Sequence, residues 1–347
     1  MTNLIDMRKK TRHRDAALSE SDFELFDALQ ENPRASWADL SRRLGVSAPT
    51  VRRRWGRLEK AGSAWISTYA DMTSGIINAS VRVKCQPGTT RSVAERLTAI
   101  PEVLSVSEMT GSYDLQLVVM VEEMFQFRKV VHEKIGSTSG VVEVHSALMT
   151  TVFHEGSRWK TGALATRNGD SEVQGDASKI DFFDFRVRAV LSVLERDGRA
   201  PAEKVAAAIG TSQAHARRVV SYLIRKGVLT QRVDLATEDS TWPHGLALWM
   251  ISPAAELMAN AAHVRRFQRT RLCSALGGGE CNLFAIVWLH SLEEAAEVEH
   301  RVIKGLGIEV ADRGILMHHY KRMGHVLDSK GRRAGHVPWI SDAEGLA

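Results

Sequence analysis

Cysteine is scarce in this chain, with Cys85, Cys273 and Cys281 the only three in 347 residues. They are scattered and form no C-x-x-C spacing, which excludes both a disulfide framework and a zinc knuckle. Long apolar runs are missing as well. The most hydrophobic stretch, residues 246–264, is broken by Pro253 and Glu256, so no membrane span is expected. The amino terminus carries Arg8, Lys9, Lys10, Arg12 and Arg14 with no apolar run behind them. A secretory leader is therefore not expected, and the cytoplasm is the expected compartment. Catalytic signatures are also absent. There is no nucleophile elbow, phosphate loop or paired-carboxylate pattern, and no helix start follows Gly277-Gly278-Gly279, so that run is no nucleotide fingerprint. His318 and His319, neighbours on an expected strand, point to opposite faces and cannot chelate one metal together. The expectation is a non-enzymatic protein with no metal and no cofactor.

What is present is said twice. Residues 40–55 read Leu-Ser-Arg-Arg-Leu-Gly-Val-Ser-Ala-Pro-Thr-Val-Arg-Arg-Arg-Trp, and an offset of 165 lays a second run on the first without a gap. Gly210 then falls on Gly45, Ser212 on Ser47, and Arg217 and Arg218 on Arg52 and Arg53. The same offset pairs Leu194 with Leu29, Arg199 with Arg34 and Gly227 with Gly62. Each run reads as a short amphipathic helix, a glycine turn, a serine cap and a second, basic helix, which is the pattern of a helix-turn-helix DNA reader. A repeat of this length makes the chain two copies of one unit. A net charge of +5 and a pI of about 9.2 permit a polyanionic partner without proving one.

Periodicity divides the chain further. Residues 1–20 read as a basic arm. Residues 21–66 form a first helix-turn-helix domain, with Ser21 and Glu24 as a candidate capping box. Residues 76–155 change character to strand, helix, two strands around a Thr110-Gly111-Ser112 turn, helix and strand. That order is a ferredoxin-like βαββαβ module. Glycines among polar residues mark 156–180 as a linker. A second helix-turn-helix domain follows at 181–232, a second module at 246–322, and a polar tail at 323–347. The fold class expected is α+β, with two winged-helix-like DNA-binding domains, each followed by such a module. The two modules are expected to pair face to face.

In the third helix of the first domain, Val51, Trp55 and Leu58 share one face, so Arg52, Arg53 and Arg57 must point elsewhere. Ser47 and Pro49 open that helix with its amino-terminal amides free for a phosphate. Ser47, Ala48, Pro49, Thr50, Arg52, Arg53 and Arg57 are the candidate DNA contacts there. In the second copy they are Ser212, Gln213, His215, Arg217 and Arg218. Gln213 and His215 stand where the first copy has Ala48 and Thr50, so the two half-sites need not be identical.

These residues resemble the leucine-responsive regulator/asparagine-operon regulator (Lrp/AsnC) family. The likeness rests on residues 34–36, 40–47, 50–54 and 58–62 in the helical domain. In the module it rests on Ile100-Pro101-Glu102-Val103, Gly111-Ser112-Tyr113-Asp114-Leu115 and Gly140-Val141-Val142. It covers nearly all of residues 21–155, whereas the second half matches by architecture, with Gly279-Glu280-Cys281-Asn282-Leu283 replacing the hairpin signature. The resemblance implies a transcriptional regulator that binds double-stranded DNA and self-associates through its sheet modules, here as a dimer fused into one chain. It also implies a small-molecule effector, amino-acid-like, at Gly111, Ser112, Tyr113 and Asp114. The bland alternative is that Asp114 merely satisfies backbone amides after a turn. Sirohaem decarboxylases resemble the same family and form the alternative reading. They call for His and Arg around a tetrapyrrole, where this chain has Gly-Ser-Tyr-Asp and Gly-Glu-Cys-Asn.

Overall fold

The computed structural model describes residues 18–72, 75–164, 182, 184–236 and 240–340. Most of the expected basic arm, the greater part of the expected linker and residues 341–347 lie outside the described residues.

The first half opens with three helices, α1 (Glu20–Glu31), α2 (Trp37–Leu44) and α3 (Ala48–Lys60), and a strand β1 (Ala64–Ala70). A sheet module follows: β2 (Ile77–Cys85), α4 (Thr90–Thr98), β3 (Val103–Met109), β4 (Leu115–Val121), α5 (Met124–Lys129) with a π turn after it, and β5 (Val141–His154). The second half repeats the order. It runs α6 (Phe185–Leu194), α7 (Ala202–Ala208), α8 (Gln213–Arg225), β6 (Leu229–Leu235), β7 (His244–Ile251), α9 (Leu257–Arg266), β8 (Thr270–Gly277), β9 (Leu283–Leu289), α10 (Ala295–Ile303) and β10 (Glu309–Arg322). The architecture is α+β, with helix-turn-helix and ferredoxin-like parts. No described helix is long and apolar enough to cross a membrane.

Three expectations need correction. The amino-terminal cap of α1 is Ser19, not Ser21: its amide (3.0 Å) and hydroxyl (2.8 Å) both donate to Asp22. Residues 156–164 are not loose linker. Gln30 Nε2 donates to the carbonyls of Gly156 and Ser157, Asp27 accepts from the amides of Thr161 and Leu164, and Trp159 is buried. The polar residues after 322 are not all tail either, because β11 (His325–Leu327) and β12 (Arg333–His336) extend the sheet beside β10. Polar composition hid them, since an added strand needs backbone partners more than apolar side chains.

The sequence offset reappears as a pseudo-two-fold axis. β1 and β6 pair antiparallel from Ala64↔Leu235 to Ala70↔Leu229, so positions 165 apart exchange partners about Ser67 and Arg232. A winged-helix pattern suggests two separate wings at these positions. Each is a lone strand, and pairing with the other satisfies its backbone groups. The modules also join through strands rather than by faces alone. β5 and β10 are 14 residues long and overhang their own sheets, β5 pairing with β2 and β8, and β10 with β7 and β3. The inter-module registers Leu148↔Gly277 and Leu316↔Met109 are mates at an offset of 168. The ring β10-β3-β4-β2-β5-β8-β9-β7 closes on itself, leaving none of its eight strands with a free edge along the closure. Helices cover the outside of each module over cores such as Val81, Val93, Leu97 and Leu117, or Leu248, Val264, Val287 and Val298. The other sheet faces meet in a shared core of Met109, Ala147, Met149, Ala247, Trp249, Leu272, Phe284 and Leu316.

Candidate nucleic-acid interface and inter-module cluster

The helices α3 and α8, which carry the candidate DNA contacts, are built alike. Ser47 Oγ accepts from the Thr50 amide at 3.3 Å, and Ser212 Oγ from the His215 amide at 3.2 Å. Gly45 (φ 67°) and Gly210 (φ 63°) make the turns before them in the left-handed region that glycine adopts without strain. Val51, Trp55 and Leu58 are buried under α3, as Ala216, Val220 and Leu223 are under α8. The opposite faces are open. Arg52 and Arg53 are exposed on α3, and Gln213, His215, Arg217 and Arg218 on α8. Ser47, Pro49 and Ser212 are exposed at the helix starts, with Ala48 and Thr50 partly so.

Arg57 departs from this pattern. Its Nη2 lies 2.7 Å from Asp22 Oδ1, and that carboxylate is almost wholly buried. Burial would raise the Asp22 pKa, but its bonds with Ser19 and Arg57 outweigh this and hold it below the usual carboxylate value. Arg57 thus ties α3 to α1. Arg54 does likewise, donating to the Ser21 carbonyl at 3.0 Å.

What fixes one helical unit against the other is an arginine exchange. Arg34 donates to the carbonyls of Gly198 (2.6 Å) and Ala200 (2.8 Å), while Arg199 donates to those of Pro33 (2.6 Å) and Ala35 (2.8 Å). Donors and acceptors are all mates at the 165 offset, which is the signature of an isologous contact. Burial lowers both guanidinium pKa values, that of Arg199 to about 10. The repeat alignment contained this pair, but only the tertiary structure gives it a role.

The hairpin at 111–114 sits where the modules meet. Gly111 (φ 105°) packs so closely that a Cβ there would lie 2.7 Å from the Arg313 carbonyl. Ser112 Oγ donates to Asp312 Oδ1 at 3.2 Å, and Tyr113 donates to Glu143 at 2.8 Å. The centre of the cluster is Arg82, a residue that sequence reasoning missed. It pairs with Asp312 at 2.7 Å and lies over the rings of Tyr113 (4.5 Å) and Trp249 (4.8 Å). The sequence signal was a charge alternating with apolar residues on a strand, which reads equally well as solvent-facing. Asp114 is already engaged. Its Oδ2 accepts from the Cys85 amide at 2.7 Å and its Oδ1 lies 3.6 Å from Lys84. Asn282 ends β7 in the same way, accepting from the Ser252 amide at 2.8 Å.

Among the described residues no group of His, Cys, Asp or Glu is arranged to hold a metal. His319 bonds to Ser107 at 2.7 Å, and β-bulges flank the His318–His319 pair on either side.

Comparison with known proteins follows this division. Residues 18–59 match the AsnC-type helix-turn-helix domain, and residues 78–158 the Lrp/AsnC ligand binding domain. An HTH-type transcriptional regulator of Pyrococcus horikoshii is 30% identical over 144 residues, which cover 90% of that protein and 40% of this chain. The Bkd operon transcriptional regulator of Pseudomonas aeruginosa is 29% identical over 140 residues, 90% of its length and 38% of this one. The solved structure of the sirohaem decarboxylase NirDL matches 88% of this chain and 93% of its own, with a TM-score of 0.55. At 16% identity that likeness is one of fold alone. Domain order, hairpin signature and near-complete coverage of a 30%-identical relative agree, and the chain belongs to the Lrp/AsnC family of HTH-type transcriptional regulators.

Proposed function

We propose that this chain is a sequence-specific DNA-binding regulator arising from tandem duplication, a dimer within one polypeptide that reads two unequal half-sites. The domains are those given by periodicity, 21–66, 76–155, 181–232 and 246–322. The observation that carries the reading is the pair of exposed basic helices held about one axis by the Arg34 and Arg199 exchange. A dimeric reader places its helices one turn of duplex apart, and Arg side chains there meet guanine edges or phosphates. Because α3 offers Ala48, Thr50, Arg52 and Arg53, and α8 offers Gln213, His215, Arg217 and Arg218, the operator is imperfectly palindromic.

Mapping of bound DNA in cells, followed by gel-shift titration, tests this. Arg52→Ala with Arg53→Ala should weaken one half-site, and Arg217→Ala with Arg218→Ala the other. Each bidentate arginine–base pairing so removed should cost about 1–3 kcal/mol. Equal weakening of both halves by either pair would refute the asymmetric reading.

The match to a ligand-binding module supports a small effector, and the inter-module cluster supplies chemistry for an amino-acid-like one. Arg82 would face a carboxylate and Asp312 or Glu143 an ammonium group. This moves the ligand-binding role from Asp114 to Arg82, Ser112, Tyr113 and Asp312. Calorimetry against a panel of amino acids, with Arg82→Met as control, checks it. Exposed Met124 and Phe125 on the first module, with Met258 and Leu292 on the second, offer apolar surface for association of further copies. Native mass measurement reads that association directly.

A further inference from the structure

The pseudo-symmetry fails where each helix-turn-helix unit meets the sheet module of the other half. Between the first helix-turn-helix unit and the second module lies a crevice lined by Phe26, Trp159, Trp242, Trp288, Arg271 and Arg322. At the mates of Phe26 and Trp288 stand Leu191 and Met120, part of a filled apolar core with Phe182 and Ile340. Trp339 closes that core, donating to the Met120 carbonyl at 3.0 Å. The mate of Arg271 is Val103, again an apolar core residue. One copy is apolar at these three places, and the mate of Arg322 there is the uncharged His154, whose imidazole burial holds at a pKa of about 4. The other keeps two arginines among three indoles.

The charges there do not cancel. Asp234, fully buried, pairs with Arg232 at 2.9 Å and Arg271 at 2.8 Å, and it accepts from Ser67 Oγ at 2.8 Å. Glu155, half-buried, is the second carboxylate and accepts from Tyr69. Three guanidiniums therefore face two carboxylates. The surplus falls on Arg322, which is 7% exposed and donates through Nη1 to the Leu235 carbonyl at 3.0 Å, while its buried Nη2 has no partner. A buried donor left unmade is costly, and more so when charged. Aromatic walls beside an unpaired guanidinium suit a flat apolar body that carries one negative group.

We propose that this crevice binds a small planar carboxylic acid, its carboxylate on Arg322 and its body between Trp159 and Trp288. The free space is about 20 Å³, little more than one water needs, so the ligand requires a wall to move. The body takes the place of the Trp242 indole, the partly exposed wall. That ring is held by contacts with Phe23 (6.1 Å), Trp159 (5.0 Å) and His290 (5.3 Å). The ligand would touch a DNA-binding unit and a sheet module at once, away from the hairpin cluster.

Benzoate is a suitable probe, with benzamide as its uncharged equivalent and sodium chloride as the simple-anion control. Titration of the full chain, without DNA, should give saturable changes in tryptophan emission and a raised melting temperature with benzoate. Benzamide should bind at least about tenfold more weakly, because it lacks the charge-assisted bond. Arg322→Met should remove the preference for benzoate over benzamide. If that variant does not fold, Trp242→Leu, which clears the ring that the body displaces, should tighten benzoate binding, and weaker binding by that variant would overturn the proposal. Equal binding of benzoate and benzamide, no saturable response to benzoate, or the same shift from chloride at equal concentration would each overturn the proposal. Its readouts are independent of DNA binding, so its failure would leave the regulator reading untouched.

Discussion

Asp114 shows how far a side chain can be read without its neighbours. A carboxylate after a Gly-Ser turn suits an ammonium ligand or a backbone amide equally, and the amide of Cys85 claims it. Since Asn282 caps the matching strand with an amide, Asp114→Asn should change stability by less than about 1 kcal/mol in urea denaturation. A larger effect would make the half-exposed pair with Lys84 important. Lys321 behaves differently. It is fully buried, with Nζ 2.9 Å from the Ile100 carbonyl, and burial pulls its pKa down to about 7, with Glu102 and Glu195 opposing the shift and His336 near by. The folded protein then holds fewer protons than the unfolded chain between about pH 7 and the ordinary lysine value. Stability gains from this residue as pH rises through that window, and the full penalty is present below it. Lys321→Met should therefore raise the melting temperature more at pH 6 than at pH 9, and calorimetric scans at the two values check this.

At the scale of elements, the two module hairpins differ in what crowds them. Gly111 and Gly279 both have positive φ, 105° and 78°. A Cβ at 111 meets the Arg313 carbonyl at 2.7 Å, whereas one at 279 meets the end of the His145 side chain at 2.9 Å. Backbone cannot step aside and an imidazole can. Gly111→Ala should cost about 1–3 kcal/mol, the range for a strained backbone position, and Gly279→Ala less. Denaturation midpoints of the two variants give the comparison, and equal costs would mean that φ alone sets the penalty. The helices α3 and α8 were legible at this scale because serine caps, glycine turns and a period of 3.6 are local signals. Arg57 was not, since its partner Asp22 belongs to another helix and a helical wheel shows only that Arg57 avoids the core.

At the scale of the whole molecule, two surfaces of like charge sit on one rigid scaffold, so binding should follow counterion release. If about six to eight phosphates are neutralised, the log–log dependence of affinity on salt should have a slope of roughly −5 to −7. A slope near zero would remove the electrostatic basis of the DNA reading. The closed strand ring makes a second demand. β5 and β10 each bind both modules, so halves expressed as residues 1–164 and 182–347 should recover a stable fold together and not separately. Co-purification against single expression measures this, and a stable lone half would show that the shared strands are dispensable.

The amino-acid sequence by itself determined the order of elements, the repeat at 165 residues and the basic faces of α3 and α8, because caps, turns and hydrophobic period act over a few residues. It also carried the family likeness through residues 21–155. The tertiary structure alone decided how the copies meet: β1 against β6, the exchange of Arg34 and Arg199, and the barrel closed by β5 and β10. These are pairings of backbone donors and acceptors far apart in the chain, and every residue carries the same such groups. Buried charge followed the same rule. Arg82, Arg271 and Arg322 look like ordinary surface arginines until the fold encloses them, because whether a charge is paired depends on residues more than 30 positions away.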